Sequence, residues 1–331
     1  MNLFIDTNIY LTFYHYSNDD LEELRKLAVA IKSGEISLSL TQQVKDEFKR
    51  NRESKIADAL KRFREQKLNR EFPQMCKEYA DYKRLRDAIK QYEESKDKLF
   101  QRLRADIEGK TLGADQVIAE LFAKAELLDY DDKILAAAKR RIELGNPPGK
   151  SGSLGDAINW ETLLEKMPHG ELYLITEDKD YMSQVNEEKL AEFLLEEWAE
   201  KKGSNVLFYR RLSDFFSDKF PTIKLASEWE KELAIARLMW TGSFRATHAA
   251  IARVASFSDF TDDQINQIVD AAVSNTQISW ICNDPDVRSF LESVVHGNED
   301  IIEPAKLKAF NSLYHEDSGE ARAIGVEEVP P

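Results

Sequence analysis

Four acidic positions stand where a fold could bring them together. Asp6 closes the short apolar run Leu3-Phe4-Ile5, and Glu47 lies in the first turns after the alternating stretch from Ile36 to Leu40. Asp156 directly follows a Gly- and Pro-rich loop over 145–155. Asp178 comes two residues after the run Leu172-Tyr173-Leu174-Ile175-Thr176, with Asp180 two residues further on. Several carboxylates a few ångströms apart cannot all ionise without a counter-charge. A hard divalent cation, Mg2+ or Mn2+, held by carboxylate oxygens supplies one. Such a cation activates water and neutralises charge building on a phosphate, so the chemistry these acids suggest is phosphodiester hydrolysis. Taken singly, each has a bland alternative: Asp156 is also a good N-cap and Asp178 a good turn residue.

The elements that must position these acids follow from periodicity. Residues 2–6 read as a buried strand, and the alternation of Ile36, Leu38 and Leu40 with Ser37 and Ser39 as a second. Residues 171–176 and 205–209 read as two more strands. Ser17-Asn18-Asp19 suits the start of a helix running through Leu21 to Ile31, and Thr41 the cap of the next helix. Strands alternating with helices predict a parallel sheet. In such a sheet the strand C-termini and the N-termini of the following helices share one edge, where ligands bind. The acids would meet there. Two long charged helices, about 41–70 and 74–107, are broken at Phe72-Pro73 and read as a hairpin; further helices are expected near 113–128, 131–144 and 187–201. Beyond Pro221 only helical period appears, at 225–240, 244–256, 261–275 and 285–296. The fold class is therefore α/β. An N-terminal domain over 1–215 carries a helical insertion at about 50–130, and an acidic all-α domain covers 220–331. The last dozen residues read as a frayed tail.

Charge narrows the partners. The 331-residue chain is 42% hydrophobic, enough for a core, and its net charge is −14. A polyanion can bind such a chain only through a local basic patch. Residues 45–70 supply one, with ten Lys or Arg against five Asp or Glu, whereas 220–331 has nine against eighteen. Arg50 shares the face of Glu47 at i+3, and Arg52 and Lys49 lie close by. Lys45, Lys55, Lys61, Arg62 and Arg64 extend the positive face, whose alternative reading is a solvated helix. Lys150 sits in the loop that leads into Asp156. The segment Gly145 to Ser151 misses the phosphate-loop pattern, because its glycines enclose three residues rather than four and no strand precedes it. The five histidines lack metal spacing, and the Phe and Trp residues of the C-terminal helices fall at core spacing. Two distant cysteines and the lack of any long apolar run are expected of a soluble cytoplasmic protein with no membrane association.

Four strings add a resemblance. Phe4-Ile5-Asp6-Thr7-Asn8-Ile9, Thr41-Gln42-Gln43-Val44-Lys45-Asp46-Glu47-Phe48, Gly155-Asp156-Ala157-Ile158-Asn159-Trp160 and Leu174-Ile175-Thr176-Glu177-Asp178-Lys179-Asp180-Tyr181 are similar, in order, to the motifs of PIN-domain nucleases. The insertion, with Glu47-Phe48-Lys49-Arg50-Asn51-Arg52 and Asn146-Pro147-Pro148-Gly149-Lys150, looks most like a PIN-like branch found in larger bacterial proteins. The resemblance implies a parallel sheet flanked by helices and a Mg2+- or Mn2+-dependent ribonuclease acting on single-stranded RNA. It implies that Asp6, Glu47, Asp156 and Asp178 or Asp180 hold the metal, supported by Thr7, Asn8 and Thr176. The stretch after Asp178 leaves the choice between Asp178 and Asp180 open, with Asp178 nearer the strand end. The resemblance also suggests a toxin-like or defence-associated nuclease, and the acidic 220–331 beside the basic 45–70 suggests that the C-terminal domain restrains it in cis or docks an inhibitory protein or another copy. Two alternatives remain at this point: a weakly catalytic RNA- or partner-binding module, and a nuclease acting on DNA.

Overall fold

The computed structural model describes residues 1–15, 21–149 and 153–314. The helix start expected at Ser17-Asn18-Asp19, Lys150 and the C-terminal tail lie outside these. The chain forms two compact units, Met1–Ala226 and Ser227–Pro331.

The first unit is built on five parallel strands: β1 (Asn2–Ile5), β2 (Ser37–Thr41), β3 (Glu126–Leu128), β4 (Leu172–Ile175) and β5 (Val206–Tyr209), in the order β3-β2-β1-β4-β5. The chain builds outward from β1 on one side and returns to fill the other, so the strand order reverses between β1 and β4. That reversal point is where an open α/β sheet leaves a crevice at its carboxyl edge. Leu3, Phe4, Ile5 and all of β4 are buried, as expected of strands covered on both faces. Ile5 pairs with Ile175, which sets Asp6 and Thr176 side by side at the strand ends.

Among the described residues of this unit the helices are α1 (Thr7–Thr12), α2 (Leu21–Ser33), α3 (Gln42–Glu65), α4 (Ala80–Gly109), α5 (Gly113–Lys124), α6 (Asp132–Leu144), α7 (Leu154–Lys166), α8 (Glu192–Lys202) and α9 (Leu212–Lys219). Local chemistry explains several boundaries. The Thr41 hydroxyl accepts from the Val44 amide and caps α3. Asp131 caps α6, which Gly145 ends with φ of 73°. The long charged pair is present as α3 and α4, with a 3-10 turn over Gln74–Glu78 between them.

Three features depart from expectation. The segment 113–128 divides into α5 and the three-residue strand β3, which pairs with β2 at the sheet edge. Helix α8 starts at Glu192 rather than near 187, because residues 187–189 form a turn, with the Lys189 amide donating to the Asn186 carbonyl at 3.0 Å, and Leu190 bridges back to Met182. Helix α9 extends the first unit past the expected boundary at 215.

Arg141 on α6 is buried and holds three elements together. It donates to Glu161 of α7 at 2.8 Å, to Glu197 of α8 at 2.6 Å and to the Pro147 carbonyl at 2.6 Å. The Trp160 indole donates to the second oxygen of Glu197 at 2.7 Å. This network fixes α7, the helix that carries Asp156.

The second unit is helical: α10 (Ala226–Leu238), whose first residue closes the first unit, then α11 (Phe244–Val254), α12 (Asp262–Ser274), α13 (Thr276–Trp280), α14 (Pro285–Val295) and α15 (Pro304–Ser312). The short α13 and α15 went unread in the sequence. Its core is aliphatic, with Leu238, Ile251, Ile268, Val287 and Leu291 at or near full burial. Trp240 and Trp280 are 85% and 69% exposed, against the core placement their spacing suggested. Among the described residues no helix is long and apolar enough to cross a membrane.

Candidate metal centre at the sheet edge

Asp6 is 2% exposed and caps α1, its carboxylate accepting from the Thr7 amide at 2.7 Å. The Thr176 hydroxyl, at the end of β4, donates to the other Asp6 oxygen at 2.8 Å and accepts from the Asp178 amide at 3.0 Å. One hydroxyl thus ties the Asp6 carboxylate to the loop that bears Asp178. That loop is further fixed by the Asp180 amide, which donates to the Asp178 carboxylate at 2.8 Å. Asp156 stands in the first turn of α7, where a helix N-terminus favours negative charge. The Ser153 side chain hydrogen-bonds it.

Asp6, Asp156 and Asp178 each offer a carboxylate oxygen within 4.8 Å of the others. Glu47 flanks this group. A Cβ placed on Gly155 would stand 2.7 Å from Gln43 Nε2 and 3.4 Å from Glu47 Oε2, so the start of α7 lies directly against the first turns of α3. Gly155 is what permits that approach. Gln43 also donates to Glu47 at 3.3 Å.

Electrostatics agree with the geometry. Burial, reinforced by Glu47 and Asp178 and opposed by Thr176 and the Thr7 amide, pushes Asp6 up to about 7. Burial, then Asp6, Asp178 and Glu47, pushes Asp156 up to about 8, opposed by Ser153. Both shifts are upward, so the metal-free fold favours the protonated acids. Stability from this source is full below the ordinary carboxylate range and is lost as pH rises through about 7 and about 8. A cation bound among the three would reverse that sign. The donor set, three hard oxygens from separate elements, suits Mg2+ or Mn2+.

The other expected residues fall into distinct places. Thr7 and Thr176 adjoin Asp6, Thr7 through its backbone amide; its buried hydroxyl has no partner among the described residues. Asn8 is half-buried at the second position of α1; Thr7 and Thr176, rather than Asn8, hold Asp6. Asp180 contributes its amide to Asp178, while its carboxylate is not in the tight group. Arg50 and Lys49 are exposed on α3. Arg52 is engaged elsewhere: it binds Asp115 of α5 through two hydrogen bonds, at 2.6 and 2.5 Å, and lies over the Tyr14 ring. Its position on the inward side of α3, between Phe48 and Ile56, explains this. His15 pairs with Asp58 at 3.0 Å rather than with the acids.

Two residues at the site carried no role in the sequence reading. Tyr181 is fully buried, donates to the Asp156 carbonyl at 3.3 Å and feels all four carboxylates, which together with burial raise its phenol well above the usual value. Asn159 is fully buried on α7, three residues after Asp156, and accepts from Thr41 at 2.6 Å, while its Nδ2 has no acceptor among the described residues. Its i+3 spacing from Asp156 was the available signal.

A parallel α/β sheet with a cluster of carboxylates at its reversal point defines a class of acidic-centre domains. Residues 3–181, more than half of the chain, match the family model described as PIN domain, and the chain belongs to that family. Such domains are generally nucleases. No curated protein and no solved structure gives a significant match.

Proposed function

We propose that the chain is a Mg2+- or Mn2+-dependent endonuclease that hydrolyses phosphodiester bonds of single-stranded RNA. The observation that carries this reading is the convergence of Asp6, Asp156 and Asp178 at the carboxyl edge of a PIN-domain sheet. These three would hold the cation, with Glu47 beside them. A bound cation supplies Lewis acidity and a lowered pKa for water at neutral pH. The chain's own groups do the rest. Thr176 and the Thr7 amide orient the Asp6 carboxylate, and the Asp180 amide orients that of Asp178. Arg50, exposed one turn beyond Glu47, offers a fork of donors to a substrate phosphate. Lys49 and the loop residue Lys150 are further candidates for backbone contact.

The resemblance to PIN-domain ribonucleases supports RNA as substrate. The net charge of −9 over residues 220–331 supports reading the C-terminal helices as a surface for an inhibitory protein or a second copy, as suits a restrained toxin-like or defence nuclease. The test is cleavage of a labelled single-stranded RNA with Mn2+ and with EDTA. Cleavage is expected only with the metal. Asp178→Asn should lose it by roughly 10²-fold or more, while Asp180→Asn keeps it within a few fold. Cleavage of single-stranded DNA alone would move the substrate to DNA, and RNA binding without cleavage in any divalent metal would leave a binding module.

A further inference from the structure

We propose that one face of α3, beginning at Glu47, is a track for single-stranded nucleic acid that leads away from the acidic cluster to a two-helix seat formed by Lys61, Arg64, Arg104 and Phe100. What happens at the cluster rests on the nuclease reading; the binding along the track does not.

The face is set by helical spacing. Glu47, Arg50, Ser54, Ala57, Lys61 and Arg64 follow one another by three and four residues alternately, so they form one stripe along the helix. The buried residues of α3, namely Val44, Phe48 and Ile56, lie on a different face. Every stripe residue from Arg50 to Arg64 is exposed. Between Glu47 and Arg64 the stripe contains no acid, and its two uncharged members are small. From Glu47 to Arg64 it runs about 25 Å, long enough for several nucleotides.

Pairing separates these cations from three others on the helix; Lys45 and Lys55, which also lack a carboxylate partner among the described residues, lie off the stripe. Lys49 sits 4.0 Å from Asp46, Arg62 pairs with Asp58 at 3.3 Å, and Arg52 is held by Asp115. Arg50, Lys61 and Arg64, and Arg104 on α4, have no carboxylate partner among the described residues. An acidic chain repels a polyanion overall, so binding requires cations not already neutralised. At the far end Arg64 lies over the Phe100 ring, 5.7 Å from its centroid. Lys61, Arg64, Arg104 and Phe100 line a shallow hollow of about 390 Å³ with Ala57 and the one carboxylate of Glu65. Cations around an aromatic ring suit a nucleotide, through its phosphate and base face together. Because the stripe starts at the carboxylate group, the occupant is the strand whose backbone reaches that group.

Fluorescence anisotropy in EDTA tests this without cleavage. The probes are fluorescein-labelled oligouridines of roughly 20 and roughly 4 nucleotides. The wild-type chain should bind the longer probe more tightly. The triple variant K61A/R64A/R104A, changed only at exposed positions, should lose about tenfold or more on the longer probe. Its slope of log Kd against log salt should fall by about 2, the loss of three phosphate contacts. An oligodeoxythymidine arm showing the same loss assigns recognition to the shared backbone, and a loss confined to RNA assigns it to the ribose as well. Unchanged affinity and slope in the variant, or a wild type indifferent to length, would overturn the track. Length-dependent binding lost in the variant, with no cleavage by the wild type, would keep the track and remove the nuclease reading. Cleavage by a wild type that the variant matches in binding would do the reverse.

Discussion

Asp6→Asn is expected to abolish Mn2+-dependent cleavage while leaving the fold as stable as before, or more so. The new side chain keeps its oxygen for the Thr7 amide, now at 2.7 Å, while its amide nitrogen replaces the oxygen that accepts from the Thr176 hydroxyl at 2.8 Å, so that hydroxyl turns to accept instead. It removes a charge that the site cannot accommodate without a cation. The cleavage rate should fall by roughly 10²–10³-fold or more, as for loss of a central electrostatic group. The stability effect has the opposite sign. With Asp6 pushed up to about 7, the metal-free wild type at pH 8 carries an ionised buried acid at a cost on the order of a few kcal/mol. The variant does not, so its metal-free melting temperature at pH 8 should equal or exceed that of the wild type. Below the ordinary carboxylate range the difference should vanish. Thermal melts at about pH 3 and about pH 8, with and without Mn2+ at the higher pH, check both halves. Wild-type cleavage by the variant would contradict the assigned role of Asp6.

Replacement of Arg141 is expected to have the largest effect on stability. Its side chain is 3% exposed and donates to Glu161, Glu197 and the Pro147 carbonyl. Arg141→Leu leaves Glu197 and Glu161 without their main counter-charge in a largely buried setting. Removing one partner of such a pair costs about 3–5 kcal/mol, because the remaining charge stays buried. The Trp160 indole still reaches Glu197 but cannot neutralise it. Since α7 loses its buried ion pair to α6 and keeps the Ala138–Ala157–Ile158 packing and the exposed Lys133–Glu165 pair, cleavage should weaken as well, even though Arg141 touches none of the three clustered acids. Urea unfolding measures the loss. A change below about 1 kcal/mol would mean the network contributes little.

Much of the fold was legible because the signals were local. The runs ending at Asp6 and Asp178 are short, apolar and bounded by acids, so the strands and their edge could be read directly. Thr41 and Asp131 announce helix starts by side chains that cap them. What escaped was set by distant contacts. Glu126–Leu128 is a strand only because β2 offers it an edge, and its two exposed residues carry no alternation. Residues 187–191 look helical, yet a turn at 187–189 and the Met182–Leu190 bridge fold them back instead. At the site, the positions of Asp6, Asp156 and Asp178 followed from topology. The fate of Arg52 did not, because its partner Asp115 lies beyond the whole hairpin in sequence. Tyr181 and Asn159 were similarly opaque: their importance comes from burial beside acids that meet only in the folded chain.

The central claim is that Asp6, Asp156 and Asp178 form one divalent-cation site. Titration calorimetry of Mn2+ into the metal-free chain at pH 7, in two buffers of different ionisation enthalpy, tests it most directly. With Asp6 at about 7 and Asp156 at about 8, both are partly protonated at that pH, so binding should be saturable and release roughly one proton. The same titration of Asp6→Asn should lose the saturable phase. A wild type with no saturable binding, or a variant that binds Mn2+ and releases protons as the wild type does, would contradict the account.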